Sequence, residues 1–349
     1  MTFKYRHNLL EEKLKSMDIT ISFFKRIWQA TSNLIWFGLW TFALGLLLWY
    51  PLRWWPGDSF WPVRFTNYFM PWLLLGLIPG FGLAIAAGRR RLAAALALPT
   101  LLITLTFAPL FLPQPRTALA GQESFKVMSY NIWGWNHEPE AMIKLIKQEQ
   151  PDILLLQEVP PRLGRLLSSQ LTDLYPDAKL HLVYKADIGQ AIISRYPLTE
   201  VEESYRKGRI LKVLADTPAG QIAVWDAHPF DPLPWRPQYR QISALVEDIA
   251  ATHQPLILAG DFNTTDQSET YRMINQYLHN AHWEAGWGFG FSFPSTEHRL
   301  LHGKLPLPAL VRIDHIFYSD HFFARSARTL SEAGGSDHFP VVAELSRVN

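Results

Sequence analysis

The chain has no cysteine among its 349 residues. This absence excludes a disulfide framework, a metal site built from thiolates and a catalytic cysteine. A metal or catalytic site in this protein must therefore use carboxylate, amide, imidazole or hydroxyl groups.

Acidic residues are scarce in the first third of the chain. Residues 1–120 contain 12 Lys and Arg against 4 Asp and Glu, whereas residues 121–349 contain 21 against 27. The formal net charge is therefore +8 in the first part and −6 in the second, although the net charge of the whole chain is only +2. This asymmetry and the length of the chain favour two unlike units.

Charges of either sign are nearly absent from three segments of the first third, Leu34–Tyr50, Tyr68–Ala87 and Leu92–Leu112. Each segment, with its flanks, has about the 20 residues that a membrane-spanning helix needs. Eight of the 14 tryptophans lie in this part of the chain, several near the ends of these segments, as in an interfacial aromatic belt. These features predict three transmembrane helices in residues 28–112 rather than a buried hairpin of a soluble domain.

The orientation follows from the distribution of Lys and Arg. Six of them precede the first apolar segment and three adjacent arginines, Arg89–Arg91, follow the second, whereas the loop after the first segment has only Arg53 and Arg64. Basic segments stay on the cytoplasmic side of a membrane. We therefore expect residues 1–27 to be cytoplasmic in a multi-pass protein of the plasma (inner) membrane. Everything beyond the linker 113–123 is then extracytoplasmic.

Residues 124–349 alternate short apolar runs with helical patterns, which predicts an α/β domain. Residues 286–308 are the least regular stretch and are predicted to be loop. The predicted strands are Phe125–Asn131, Ile153–Leu156, Arg209–Asp216, Gln221–His228, Leu256–Gly260, Arg312–Tyr318 and Phe339–Leu345, with helices beginning near Pro139 and covering Ile242–Ile249.

In the run Leu256–Thr264, a short apolar segment typical of a buried strand is followed directly by polar residues. Gly260 permits a tight turn, and Asp261 and Asn263 then fall on the same side because side chains alternate along extended chain. A strand followed by an Asx turn explains this stretch equally well by itself.

Five further strand ends carry a carboxylate, an amide or an imidazole. A single one of these residues is more often a cap or a packing residue, but six together predict a polar site at the strand ends. Carboxylates suit a hard divalent cation, whereas two histidines and two amides suit hydrogen bonding to a phosphoryl group. The five are Asn131, Glu158, His228, Asp314 and the pair Asp337-His338.

The order of these motifs resembles the endonuclease/exonuclease/phosphatase superfamily over residues 124–349. The resemblance implies a four-layer α/β sandwich, in which two mixed β-sheets pack face to face with helices outside, and a metal-dependent phosphoesterase activity. The motifs are Ser129-Tyr130-Asn131-Ile132, Leu156-Gln157-Glu158, the His228 segment, Gly260-Asp261-Phe262-Asn263, Arg312-Ile313-Asp314-His315 and Ser336-Asp337-His338-Phe339-Pro340.

The resemblance also implies the metal ligands. Glu158 would bind Mg²⁺, or alternatively Mn²⁺, with help from Asn131, and Asp337 would add a carboxylate beside the metal. Trp133 stands where some members have a second acidic residue, so the resemblance does not decide whether the site binds one metal ion or two.

The resemblance assigns the remaining residues to catalysis. Asp261 would orient and deprotonate the attacking water, and Asn263 and His228 would hydrogen-bond the phosphoryl oxygens. His338, oriented by Asp314, would stabilise the developing charge or protonate the leaving group.

We therefore expect a membrane-anchored Mg²⁺-dependent phosphodiesterase that acts on phospholipid headgroups or small phosphoesters outside the cytoplasm. An extracytoplasmic nuclease of the DNase I-like type is the alternative, although the −6 balance of residues 121–349 argues against tight binding of a long polyanion. A noncatalytic membrane receptor for a phosphorylated ligand is the alternative of a different class. The segment Pro229–Arg236, rich in proline and aromatic residues, is predicted to be a loop facing the substrate or the membrane.

Overall fold

The computed structural model describes residues 2–112, 122–204, 209–218, 220–295 and 308–348. Its chain forms two compact units, one of Met1–Trp54 with Trp72–Ile103 and the other of Trp55–Pro71 with Thr104–Asn349. Most of the predicted linker, and residues 296–307 of the predicted loop 286–308, lie outside the described residues.

Among the described residues, four α-helices precede the first strand: α1 (Thr2–Leu52), α2 (Trp61–Tyr68), α3 (Leu74–Ala86) and α4 (Arg90–Phe107). Within the described residues, two helical stretches are long and apolar enough to cross a membrane, Ile21–Leu52 and Arg90–Phe111. They correspond to the first and third predicted spans.

The prediction of a continuous second span, Tyr68–Ala87, is wrong. Its helical chain is broken at Phe69, and α2 with residues 70–86 passes as a span only if both parts are counted together. Pro71 lacks an amide hydrogen and disfavours helical geometry at Met70, which precedes it. The uninterrupted part, α3, has 13 residues and is therefore about 20 Å long, whereas a bilayer core is about 30 Å thick.

The remainder of the chain forms two six-stranded sheets with helices outside them. The strands are β1 (Ser124–Asn131), β2 (Ile153–Gln157), β3 (His181–Lys185), β4 (Gln190–Ser194), β5 (Leu198–Ser204), β6 (Ile210–Thr217), β7 (Gly220–Ala227), β8 (Leu256–Asp261), β9 (His279–Asn280), β10 (Asp314–Tyr318), β11 (Phe322–Thr329) and β12 (Val341–Arg347). The helices are α5 (Pro139–Glu149), α6 (Pro161–Gln170), α7 (Trp235–Ala250), α8 (Glu269–Asn275) and α9 (Ala281–Ala285).

Both sheets are mixed. The first has the order β11-β12-β1-β2-β4-β3 and the second β5-β6-β7-β8-β10-β9. In each sheet one central pair is parallel, β1 with β2 and β7 with β8, and the other pairs are antiparallel. The parallel pairs matter for the site because their carboxyl ends lie at the same edge of each sheet.

Three buried clusters separate the layers. Val127 and Leu155 of the first sheet pack against Val224 and Ile257 of the second between the sheets. A second cluster joins the outer face of the first sheet to α5 and α6, and a third joins the outer face of the second sheet to α7 and α8. Alternate residues of β1 enter different clusters, Val127 the first and Met128 the second, because strand side chains alternate between faces. The predicted four-layer α/β sandwich of two mixed sheets is confirmed.

A buried carboxyl group links the two sheets. Gln157 Nε2 at the end of β2 donates a hydrogen bond of 2.7 Å to Asp226 Oδ1 on β7. Asp226 is fully buried, and burial raises its pKa well above the ordinary value in spite of the amides of Gln157 and Gln190. The folded sandwich therefore favours the protonated carboxylic acid.

We predict that Asp226→Asn stabilises the sandwich more at pH 8 than at pH 5. The raised pKa contributes its full stabilisation of the wild type below the ordinary pKa of an aspartate, and this contribution is lost progressively as the pH rises from there through the folded pKa, at up to about 1.4 kcal/mol per pH unit. An asparagine cannot ionise and escapes this loss. Thermal unfolding of the detergent-solubilised chain, followed by tryptophan fluorescence, measures the difference. A gap between the two proteins that does not change with pH would contradict the prediction.

Candidate active site

The polar strand ends of both sheets meet at one edge of the sandwich. Asn131 is the last residue of β1, and Glu158 follows β2, its parallel neighbour. His228 follows β7, and Asp261 ends β8, which is parallel to β7. The predicted site residues of the two sheets are thus brought together by two parallel pairs.

The amide of Asn131 bridges two carboxylates from different sheets. Its Nδ2 donates hydrogen bonds to Glu158 Oε1 at 3.2 Å and to Asp261 Oδ2 at 3.0 Å, while its Oδ1 accepts from the Trp133 amide at 3.0 Å. Glu158 Oε2 also accepts from the Gly134 amide at 3.1 Å. Asp261 is buried, whereas the Glu158 side chain is 34% exposed, so Glu158 is the carboxylate that opens to solvent.

His338 lies between two aspartates. Its Nδ1 is 2.9 Å from Asp314 Oδ2, and its Nε2 is 3.7 Å from Asp261 Oδ2. The pairing of β10 with β8 sets this geometry because Asp314 lies directly opposite Asp261. Burial alone would lower the pKa of His338, but the charges of Asp314 and Asp261 outweigh it and raise the pKa to about 10. The ring is therefore protonated at neutral pH.

His228 has the opposite charge state. Its Nε2 lies 3.6 Å from Asp261 Oδ2 and 3.9 Å from Glu158 Oε1. Burial, together with the positive charges of Arg209 and His338, lowers the pKa of His228 well below its ordinary value. The site therefore contains one neutral and one positively charged imidazole, and both face Asp261.

The environment of Asp261 favours the neutral, protonated form of its carboxyl group. Burial raises the pKa of its carboxyl group to about 7, against the lowering effect of the positively charged His338 ring. A carboxyl group with a pKa near the working pH exchanges protons readily in both directions, which suits a general base.

Asn263 follows Asp261 in a turn of restricted conformation. Its backbone amide donates to Asp261 Oδ1 at 2.9 Å, and its Nδ2 lies 3.3 Å from the Pro229 carbonyl oxygen. Asn263 has a positive φ of 51°. The predicted reason for Gly260, a tight turn, is wrong: Gly260 lies within β8, where a Cβ would come within 1.8 Å of the Ala227 carbonyl oxygen on β7.

The potential metal ligands form two sets with no residue in common. Among the described residues, Asp261, Asp314 and His338 form the group of three whose ligand atoms lie within 4.8 Å of one another. The predicted ligands are Glu158, Asn131 and Asp337; of these, Glu158 and Asn131 are in contact, and Asp337 acts on His338 through its charge. Two carboxylates on either side of one amide, one of them open to solvent, form an oxygen donor set that fits a hard divalent cation.

Sequence reasoning missed the groups that hold these side chains in place. Ser336 Oγ donates to the Asn131 carbonyl oxygen at 2.7 Å and accepts from the His338 amide at 3.1 Å. Gln238 on α7 donates to the Asn263 carbonyl oxygen at 2.7 Å. Ser336 directly precedes a predicted site pair and could have been found from that position, whereas no local pattern marks Gln238.

A sequence profile of the endonuclease/exonuclease/phosphatase family matches residues 128–338, which is more than half of the chain. The chain belongs to this family. The matched range contains every predicted site residue from Asn131 to His338. A search of curated proteins gave no match.

Solved structures resemble the same part of the chain. A family member from Leptotrichia buccalis has 18% identity and a TM-score of 0.52, with 63% of this chain and 99% of the other covered. A family member from Bacteroides thetaiotaomicron has 18% identity and a TM-score of 0.51, with 65% and 99% covered. A functionally unknown conserved protein from Enterococcus faecalis has 19% identity and a TM-score of 0.51, with 64% and 100% covered. At this level of identity the likeness supports the fold alone.

Family membership makes the chain a phosphoric ester hydrolase. The fold, the polar edge and the buried Asp-Asp-His group agree with this class.

We predict that Asp314→Asn lowers kcat by about a hundredfold or more. Removing one hydrogen-bond donor that stabilises charge in the transition state costs about this much in other enzymes. The variant keeps a hydrogen-bond acceptor for His338 but removes the negative charge that favours the protonated ring. Phosphoester hydrolysis by the purified full-length variant measures the loss. Asp320→Asn is the matched control because the Asp320 side chain is 91% exposed and its observed partner is His279. Equal kcat values for Asp314→Asn and wild type would contradict the prediction.

Proposed function

We propose that the protein is a membrane-anchored, Mg²⁺-dependent phosphodiesterase that hydrolyses phospholipid headgroups or small phosphoesters outside the cytoplasm. The observation that carries this proposal is the arrangement around Asp261, where a carboxyl group of near-neutral pKa faces a neutral His228 and a protonated His338. Such a site combines a base, hydrogen-bond donors and a proton donor.

The chemistry proposed for the site is attack of water on phosphorus. Asp261 takes a proton from the water molecule as the water oxygen forms a bond to phosphorus. Asn263 and His228 hydrogen-bond the non-bridging oxygens, on which negative charge accumulates. His338, held by Asp314, gives its proton to the ester oxygen as the bond from phosphorus to that oxygen breaks.

Glu158 is the proposed main ligand of Mg²⁺, with Asn131 and Asp337 beside it and Mn²⁺ as the alternative ion. The bound cation supplies positive charge that neutralises the phosphoryl oxygens. The partial exposure of Glu158 supports this role, since its side chain is 34% exposed whereas Asp261 is buried.

Anchoring in the plasma membrane is supported by the apolar stretches Ile21–Leu52 and Arg90–Phe111. The proposed extracytoplasmic orientation of the sandwich domain follows from the distribution of Lys and Arg when the bent pair of α2 and residues 70–86 is counted as one further crossing. Protease added to intact cells, or to spheroplasts, then digests the domain, and protection would contradict this orientation.

Contacts at the end of the second apolar stretch support a substrate at the bilayer surface. Phe107 stacks on Trp283 at 6.3 Å between ring centroids, Phe111 contacts Phe289 at 5.2 Å, and the Leu110 carbonyl oxygen accepts from the Gly288 amide at 2.7 Å. The sandwich thus packs directly on the last turn of a candidate span, which would keep the domain near the lipid headgroups.

Exposed tryptophans of the same unit point to the same environment. Trp55, Trp61 and Trp287 expose between 67% and 82% of their surfaces. Tryptophan is enriched where proteins meet the interfacial region of a bilayer. Leu233 in the predicted loop Pro229–Arg236 is also 72% exposed.

Two other functions stay in view. A DNase I-like nuclease would need a basic surface, and the −6 balance of residues 121–349 disfavours it. A noncatalytic receptor would not need the general base, and the intact set around Asp261 disfavours it.

We predict that the purified full-length protein hydrolyses phospholipid vesicles in Mg²⁺ and that EDTA abolishes this activity. Asp261→Asn lowers the rate by at least about a hundredfold because a general base contributes 10²–10⁴-fold. Asp177→Asn, at a position with a 76% exposed side chain, is the control and keeps wild-type activity. Plasmid DNA and inositol phosphates in the same assay distinguish the alternatives. Equal activity of wild type and Asp261→Asn on every substrate would contradict the proposal.

A further inference from the structure

Residues 55–71, which we name the bracing segment, belong to the same compact unit as the sandwich. They lie between α1 and the helical chain of residues 70–86, and they precede the range matched by the family profile, which begins at residue 128. The segment comprises a short turn, Gly57–Ser59, followed by α2. No role follows for it from the family motifs.

The first contact of the bracing segment is with the backbone of Asn263. The Tyr68 hydroxyl donates a hydrogen bond of 2.5 Å to the Asn263 carbonyl oxygen. The same oxygen accepts from Gln238 Nε2 at 2.7 Å. One carbonyl group is therefore held from two directions, by a helix of the sandwich and by a residue 195 positions earlier in the chain.

The second contact is at Glu269, the first residue of α8, six residues after Asn263. Asp58 Oδ2 accepts from the Glu269 amide at 2.6 Å, and Glu269 Oε2 accepts from the Asp58 amide at 3.2 Å. The Ser268 side chain makes no capping hydrogen bond, so Asp58 takes the role that a helix cap normally has. Asn67 Nδ2 fixes the other oxygen of Asp58 at 2.7 Å, and both side chains are buried.

These two contacts hold the loop 262–268 near both of its ends. Asn263 needs such support because a positive φ is sparsely populated for residues other than glycine. The side chain of Asn263 is attached to the Cα atom next to the carbonyl group that Tyr68 contacts. A shift of this peptide changes the direction in which the amide of Asn263 points.

We propose that Tyr68 is a positioning residue for the hydrolytic reaction and that the bracing segment aims the Asn263 amide at the phosphoryl group. This inference rests on the proposed role of Asn263. The bracing segment directly precedes α3 in the chain and lies outside the range of the family match, so the matched residues alone are not the complete catalytic unit.

The test compares Tyr68→Phe with wild type in the full-length protein in lipid nanodiscs. The substitution removes one hydroxyl group and leaves Gln238 bound to the Asn263 carbonyl oxygen. We expect kcat to fall by about ten- to a hundredfold, since a misplacement of about 1 Å can cost a hundredfold, with KM and the unfolding temperature unchanged. Tyr277→Phe is the matched control because it removes the hydroxyl group of a half-exposed tyrosine in the same unit and leaves kcat unchanged.

Amide hydrogen exchange provides a readout that does not depend on activity. In Tyr68→Phe and in Asp58→Ala, peptides covering residues 262–268 exchange faster than in wild type, whereas peptides of β1 and β6 do not change. Unchanged exchange in this loop together with unchanged kcat would overturn the inference, and so would faster exchange throughout the sandwich. If wild type hydrolyses no phosphoester, the proposed function fails, and the exchange of the loop still decides whether the segment orders it.

Discussion

The hydrogen bonds from the Asn131 amide to Glu158 and Asp261 are the interaction on which the site depends. Two carboxylates from different sheets share one donor, and their mutual repulsion must be offset for the strand ends to meet. The protonated ring of His338 supplies part of the compensating charge, and a divalent cation beside Glu158 would supply more. The same excess of negative charge thus keeps His338 protonated, so that it can donate a proton, and favours the binding of a cation.

The sandwich produces this arrangement through its register. One parallel pair in each sheet brings two polar ends to the same edge, and the antiparallel pairing of β8 with β10 sets Asp314 opposite Asp261. The buried bond between Gln157 and Asp226 lies one and two residues before Glu158 and His228, respectively, and joins the sheets directly behind them. Packing and catalysis therefore use adjacent residues of the same strands.

The sequence was sufficient to predict those parts of the molecule that depend on short-range patterns. The central strands β1, β2, β7, β8 and β10 were predicted because each is an apolar run that ends or begins at a polar site residue. The strand β3 was not predicted because all five of its residues are only half-buried, which gives a weak apolar signal. The break at Phe69 was overlooked because hydropathy averages over a window and gives little weight to Pro71.

Long-range contacts could not be predicted from one sequence. Tyr68 was assigned to an apolar span by composition, yet its hydroxyl group contacts Asn263, 195 residues later. Asp58 was one of 4 acidic residues in a basic region and gave no sign that it caps α8. The roles of the site residues came from the resemblance to a family, and their geometry required the fold.

A structure of the full-length protein with Mn²⁺ and inorganic phosphate tests the central claim most directly, because anomalous scattering locates the ion independently of the protein atoms. The account predicts Mn²⁺ on the Glu158 carboxylate and a phosphate within hydrogen-bonding distance of Asn263, His228 and His338. A metal bound away from Glu158, or a phosphate that contacts none of these three side chains, would contradict it.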